Sequence, residues 1–516
     1  MKTRTLVLGV CVALLLSCGA RSSRLNARRD VHSFSRPDQV QVKFVDLDLE
    51  VLFDRKVLKG TATLQFDRWD SAAPLILDTR NLRIEKVELA GEDGPWAPGT
   101  YTLGAADPIL GAPLTIPLTG SAARARVHYS TQPGATALQW LEPAQTAGKQ
   151  QPFLYTQSQA IHARSWIPLQ DTPAVRTRYR ATIHTPKNLL AAMSAHNDAS
   201  GQRNGNYTFF MPAPIPSYLI ALAVGDLEFR SLGARTGVYA EKLVIERAAR
   251  EFEDTEKMLR AAEGLFGRYR WPRYDLLVLP PSFPYGGMEN PCLTFATPTI
   301  IAGDKSLVSL VAHELAHSWA GNQVTNATWS DFWLNEGLAV YAELRVVEQV
   351  YGPARAGMQA VLGRRKLAQE LARLPAPEQI LHIDLAGRDP DDGSTDIPYE
   401  KGSLFFRQLE EAFGRPAFDD FLKRYFEHFR FTSITTSIFH DFLRKQLLSK
   451  KASANVPVDE WLYRPGLPAS APQPRSEAFA KIDAGAPPGP SWSPQEWLYF
   501  LNKLPPRMSP AEMRAL

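Results

Sequence analysis

The chain has 516 residues, of which 44% are hydrophobic and 22% charged, a balance that excludes wholesale disorder and suits more than one packed domain. Its net charge of +4 is spread over both signs with no block of Lys and Arg, so a polyanion such as nucleic acid is a poor partner. Three cysteines, Cys11, Cys18 and Cys292, leave no basis for a disulfide framework in the folded body, because two of them fall in the first eighteen residues.

Lys2 and Arg4 precede a short apolar run, Leu6 to Leu16, which ends at Ser17-Cys18-Gly19. A basic start, a short apolar core and small residues at the stop describe a secretory signal over residues 1–18. The Leu-Ser-Cys ending is that of a lipoprotein signal, with Cys18 as the lipid-bearing residue; an ordinary cleaved leader is the alternative. The expectation is therefore an exported protein of a bacterial cell envelope, lipid-anchored or else periplasmic or secreted, touching the membrane only through that anchor. Residues 19–37 are polar and basic and read as a tether.

From 38 to 235 the hydrophobic period is two. Val40–Phe53, Gly60–Phe66, Val127–Ser130, Tyr179–His184 and Tyr207–Met211 alternate apolar and polar residues between Gly, Pro, Asn and Asp, which predicts a β-rich domain. The period then lengthens. Helices are expected over Ala248–Phe266, Leu307–Trp319, Phe332–Tyr351, Lys401–Phe413, 415–430 and 438–449, with a short strand at Leu276 and a turn-rich Pro280–Gly287. A second domain thus runs from 236 to 464. Residues 465–494 are a Pro-, Ala- and Gly-rich linker, and 495–516 form a short or truncated helical end.

The decisive run is His313-Glu314-Leu-Ala-His317. Two His four apart on a helix stand one turn above each other, so both imidazoles reach one ion, while Glu314 is placed to hold a water without ligating. The surrounding Leu310, Val311, Leu315 and Trp319 are apolar, and buried imidazoles and carboxylates need partners. Nineteen residues after His317, Glu336 sits in another apolar helix; two His, one carboxylate and an open position form a catalytic zinc shell, one Zn²⁺ per chain. Glu343, on the same face as Glu336, is either a partner for a ligand His or a solvated carboxylate.

Two further constellations accompany the metal motif. Tyr285-Gly286-Gly287-Met288-Glu289 follows the short strand; paired glycines let a backbone approach closely, and Glu289 adds a fixed negative charge. Tyr399, at the head of a helix, is placed to donate a hydrogen bond to an oxyanion beside zinc.

HExxH-x18-E with the preceding GGMEN and the later Tyr resembles the gluzincin zinc aminopeptidases, in the branch of leukotriene A(4) hydrolase and aminopeptidase B. The loop Tyr155–Pro173, with Gln157 and Gln159, the run Gly286–Thr299 and Trp461–Pro468 extend the likeness over roughly residues 38–468. The resemblance implies a multidomain α+β fold: an N-terminal β-saddle domain, a thermolysin-like catalytic domain and the start of a helical C-terminal domain. It also implies that Gln159 and Glu289 bind a substrate's free α-amine, that Gly286 and Gly287 hold the peptide backbone, and that Tyr399 stabilises the tetrahedral intermediate. Peptides with a free N-terminus are then the substrates. Where an epoxide-hydrolysing member carries an Asp and a further Tyr, this chain has Asp391 and Ser394, which weakens the case for that activity. A thermolysin-like endopeptidase is the other enzymatic alternative. The family's helical domain is longer than residues 469–516, so this end is either truncated or degenerate.

Overall fold

The computed structural model describes residues 30–198, 202–451, 454–505, 507–509 and 513. The alternating segments pair as the periodicity predicts. Strand Val40–Leu52 lies antiparallel to Val57–Arg68 and parallel to Arg176–His184, inside a seven-stranded sheet. The side chains of Val45, Leu47 and Leu49 are buried while Asp48 and Glu50 face water, which fixes the register. A second, four-stranded sheet brings Phe153–Thr156 between Leu138–Leu141 and Leu222–Gly225. The loop that follows Thr156 carries Gln157 and Gln159 to the edge of the domain.

The catalytic half starts with a five-stranded sheet in the order Leu227–Ser231, Thr236–Glu241, Tyr274–Val278, Leu293–Ala296, Gly287–Met288. Its last strand is an edge, antiparallel to Leu293–Ala296 and free on the other side. Helices α1 (Ile245–Glu251) and α2 (Thr255–Phe266) replace the one long helix expected over Ala248–Phe266. The break lies at 252–254, where the buried carboxylate of Asp254 is met by Lys257 and Lys305.

Helix α3 (Ser309–Ala316) carries the HExxH residues, and α4 (Trp333–Tyr351) packs beside it. Gly352, at φ 89°, ends α4, and Pro353 in the first turn starts α5 (Pro353–Arg373), a 21-residue helix that the hydrophobic pattern did not reveal. A wide π-type turn, Ile397–Lys401, leads into α6 (Gly402–Phe413). Here α4 and α6 touch backbone to backbone: a Cβ on Gly337 would lie 2.6 Å from the Gly402 Cα, so only glycine permits the crossing.

Helices α7 (Arg415–His428), α8 (Thr436–Gln446) and α9 (Val458–Tyr463) complete this layer. Thr435 caps α8 by accepting from the Ile438 amide. The buried Arg345 of α4 reaches Asp419 of α7 at 2.8 Å and ties the two helices. Beyond the catalytic layer, α10 (Glu477–Asp483) lies inside the Pro-rich stretch, and α11 (Pro494–Leu501) follows. Phe479, Ile482 and Tyr499 of these two helices pack on Met358 of α5 in a cluster separate from the main core.

Candidate active site

The three sequence-predicted ligands meet at the junction of α3 and α4. His313 lies in the last turn of α3, His317 caps it, and Glu336 sits in the first turn of α4. His317 Nδ1 donates to the Ala320 carbonyl at 2.8 Å, and His313 Nδ1 donates to the Glu343 carboxylate at 3.3 Å. Both rings therefore turn Nε2 the same way. The two Nε2 atoms are 3.1 Å apart, and Glu336 Oε2 lies 3.4 Å and 3.3 Å from them.

Three electron-rich atoms at such spacing, with both Nδ1 protons already engaged, need a cation between them. Glu336 Oε2 is buried with no hydrogen-bond donor. Against the cost of burial, the neighbouring carboxylates raise His317 to about 9 and His313 well above its ordinary value. Despite its own burial, the two imidazoles hold Glu336 down at about 2. A site that draws protons onto two imidazoles is a site for positive charge. Separations of 3.1–3.4 Å also match donors bonded to one tetrahedral ion at about 2.0–2.1 Å, so the donor set fits zinc.

Glu314 stays off this triangle. It is buried, and burial first, then Glu289 and Glu336, raise its carboxyl to about 8. The edge strand lies against it: a Cβ on Gly287 would lie 2.3 Å from Glu314 Oε1, so the strand meets the helix where no side chain fits. One oxygen of Glu289, one of Glu314 and a His317 nitrogen lie within 4.8 Å of one another. Glu289 is raised by burial, and its Oε1 has no hydrogen-bond partner.

The other predicted residues line the same cavity, of about 940 Å³. Gln159 lies in its wall, with Nε2 buried and unpartnered. Gly286 and Gly287 stand opposite α3, and Tyr285 is half-exposed at the rim. Met288 is buried, its sulfur accepting from Gln157 Nε2 at 3.2 Å. The Tyr399 ring stacks on His313 with centroids 6.2 Å apart and meets Phe332 edge-on. Burial, then Glu336 and Glu289, push its hydroxyl well above 10, so it remains a donor.

Two contributors escaped the sequence reading as site residues. Gln157 shares the wall with Gln159, and its position two residues earlier, on the same side of an extended chain, was the available signal. Asp391, noted only for its bearing on epoxide chemistry, lines the cavity and accepts from the Ala160 amide at 3.3 Å.

A β-rich N-terminal domain, a mixed catalytic domain in which two His and one Glu converge at a spacing that suits one metal ion, and a helical C-terminal region define a zinc peptidase of the thermolysin-like kind. The chain belongs to peptidase family M1: residues 250–461 match the M1 peptidase domain and residues 41–219 the M1 N-terminal domain. It is similar to a leukotriene A-4 hydrolase of Xenopus laevis, with 43% identity over 86% of this chain and 74% of that protein. It is also similar to leucine aminopeptidase 2 of Yarrowia lipolytica, with 41% identity over 85% and 69%. Leukotriene A4 hydrolase from Saccharomyces cerevisiae superposes with a TM-score of 0.81 at 35% identity, covering 87% of this chain and 71% of that one. The protein is a zinc hydrolase with one catalytic zinc.

The same relatives correct the expectation of export to a bacterial envelope. Leukotriene A4 hydrolase and the yeast enzyme are soluble cytosolic enzymes, and nothing in the likeness supports a signal peptide, a lipoprotein or a membrane contact. A short apolar run behind two basic residues is a compositional pattern that names no compartment by itself. Cys18 lies outside the described residues, and no helix among those described is long and apolar enough to cross a membrane.

Proposed function

We propose that this chain is an aminopeptidase that removes the N-terminal residue from peptides. The observation that carries this reading is the buried carboxylate of Glu289, which has a partnerless Oε1 and an oxygen within 4.8 Å of Glu314 and His317, and which shares the cavity wall with Gln159. A buried carboxylate beside an amide is a receptor for an ammonium ion. Placed next to the reacting centre, it holds the peptide's first residue there, and a peptide whose amine is acylated forfeits the contact.

His313, His317 and Glu336 hold the zinc, which supplies Lewis acidity toward the scissile carbonyl and toward water. Glu314, with its carboxyl raised toward neutrality, takes the proton of the attacking water and delivers it to the departing amine. The Tyr399 hydroxyl donates to the oxygen that gains negative charge. Gly286 and Gly287, on the free side of an edge strand, offer main-chain groups to an extended peptide.

The test is a panel of aminoacyl arylamides, each with a free and an N-acetylated amine, assayed with and without a chelator. Chelator-sensitive cleavage of the free-amine series alone supports the reading. Equal cleavage of the acetylated series replaces it with endopeptidase activity, and turnover of a lipid epoxide in place of the arylamides replaces it with epoxide hydrolysis.

A further inference from the structure

Arg176 opens the strand Arg176–His184 of the N-terminal domain and is buried. Its Nε donates to the Pro214 carbonyl at 3.0 Å, and one terminal nitrogen donates to Pro214 and Asn322 carbonyls at 2.8 and 2.6 Å. The other terminal nitrogen meets the Thr325 hydroxyl. No carboxylate pairs with it among the described residues, and burial lowers it to about 9. A buried cation served only by neutral acceptors is expensive to maintain.

The turn it grips has two dependants. Ala320 accepts from His317 Nδ1, and the Asn322 amide donates to the His317 carbonyl at 2.9 Å, so the turn sets the ring that offers Nε2 to zinc. The Asn322 side chain donates to the Glu289 carbonyl at 2.7 Å, so the same turn places the ammonium receptor. Thr325 closes the turn on itself by donating to the Gly321 carbonyl.

We propose that Arg176 is a positioning residue: by clamping the 320–325 turn it lets the N-terminal domain fix both the zinc ligand His317 and the amine anchor Glu289. The zinc half stands on the donor set alone; the amine half rests on the aminopeptidase reading. Removing a direct hydrogen-bond partner of a ligand lowers metal affinity by roughly ten- to a hundredfold, and Arg176, one contact further out, belongs at the low end of that range.

The experiment compares Arg176→Gln, Arg176→Lys, Asn322→Ala and, as a control weakened in the distant β-sheet, Val87→Ala. Zinc retention is followed by competition with a colorimetric chelator, and KM and kcat with a free-amine arylamide. Arg176→Gln should release zinc at about a tenfold lower chelator concentration and raise KM, with Arg176→Lys between it and the wild type. Asn322→Ala should raise KM and keep its zinc, and Val87→Ala should change neither. The proposal is overturned if the Arg176 variants match Val87→Ala, losing thermal midpoint while retaining zinc and KM. Should Arg176→Gln not fold, Arg176→Lys decides by the same readouts. Equal cleavage of acetylated substrate by the wild type sinks the aminopeptidase reading and leaves the zinc comparison standing.

Discussion

Glu314 and Glu336 are both carboxylates buried against the same pair of imidazoles, yet their surroundings separate them. Glu336 is held at about 2 and is a constant anion, suited to ligate; Glu314 is raised to about 8, suited to exchange a proton near neutrality. Glu314→Gln keeps the shape and removes the base. It should retain one zinc per chain by metal analysis and lose at least a hundredfold in kcat, within the usual worth of general-base catalysis of about 10²–10⁴. Near-normal turnover at full zinc occupancy would exclude Glu314 as the base. Glu289 is a different case, because its role is to meet a cation brought by the substrate. A charge-assisted contact of this kind contributes roughly 1.5–3 kcal/mol, about tenfold to a few hundredfold in rate. Glu289→Gln should cut kcat/KM for free-amine arylamides by that factor, and an unchanged kcat/KM would remove the residue from amine recognition.

At the scale of elements, what was legible in the sequence follows from which patterns are local. His313 and His317 are one helical turn apart, so their convergence is readable from spacing alone, and the strands Val40–Leu52 and Arg176–His184 declare themselves by alternation. Helix α5 does not. Only Ala356, Met358, Ala360 and Leu367 are buried along its 21 residues, too few for a clear apolar stripe, and Gly357 and Gly363 dilute it further. The Pro-rich stretch hid α10 because Phe479 and Ile482 acquire their role from Met358, more than a hundred residues earlier, and from Tyr499 beyond the Pro-rich stretch. Arg176 was unreadable for the same reason: its acceptors, Pro214, Asn322 and Thr325, come together only in the fold.

The π-type turn before α6 carries its own test. Lys401 at its end is fully enclosed and donates to the Gln379 and Arg464 carbonyls at 2.8 Å each; burial lowers it to about 7 from 10.5. Between pH 7 and 10.5 the unfolded lysine holds a proton that the folded one lacks. Stability from this group therefore rises with pH across that window, and below pH 7 the cost is present in full. Each pH unit inside the window corresponds to about 1.4 kcal/mol. Urea midpoints of the wild type should climb from pH 7 to 9.5 more steeply than those of Lys401→Met, which loses the two hydrogen bonds at every pH. Parallel profiles would mean that the ammonium is retained in the folded turn.

Over the whole molecule, one continuous apolar core runs from Val40 in the first sheet to Ala471 after α9, and it includes Val311, Leu315, Trp333 and Leu338 beside the zinc ligands. The small cluster of Met358, Phe479, Ile482 and Tyr499 stands apart from it. With His313 and His317 on α3 and Glu336 on α4 as its ligands, zinc would bridge these two helices and stabilise the unit built on the large core; among the described residues α10 and α11 offer no such cluster. A ligand that binds only the native state stabilises it by RT ln(1 + [L]/Kd), about 4 kcal/mol at a thousandfold excess over Kd. Chelation should thus lower the main thermal midpoint by several degrees, reversibly on adding zinc, and Glu336→Ala should show the low midpoint with no response to zinc. Hydrogen exchange at the amides of α10 and α11 should be faster than in α4 and insensitive to the metal, because these helices open without disturbing the large core. Phe479→Ala extends the argument: it should speed exchange in α10 and leave the zinc-dependent midpoint where it was. A single transition in which α10, α11 and α4 lose protection together, with the same zinc dependence, would show that the satellite cluster is welded to the catalytic core.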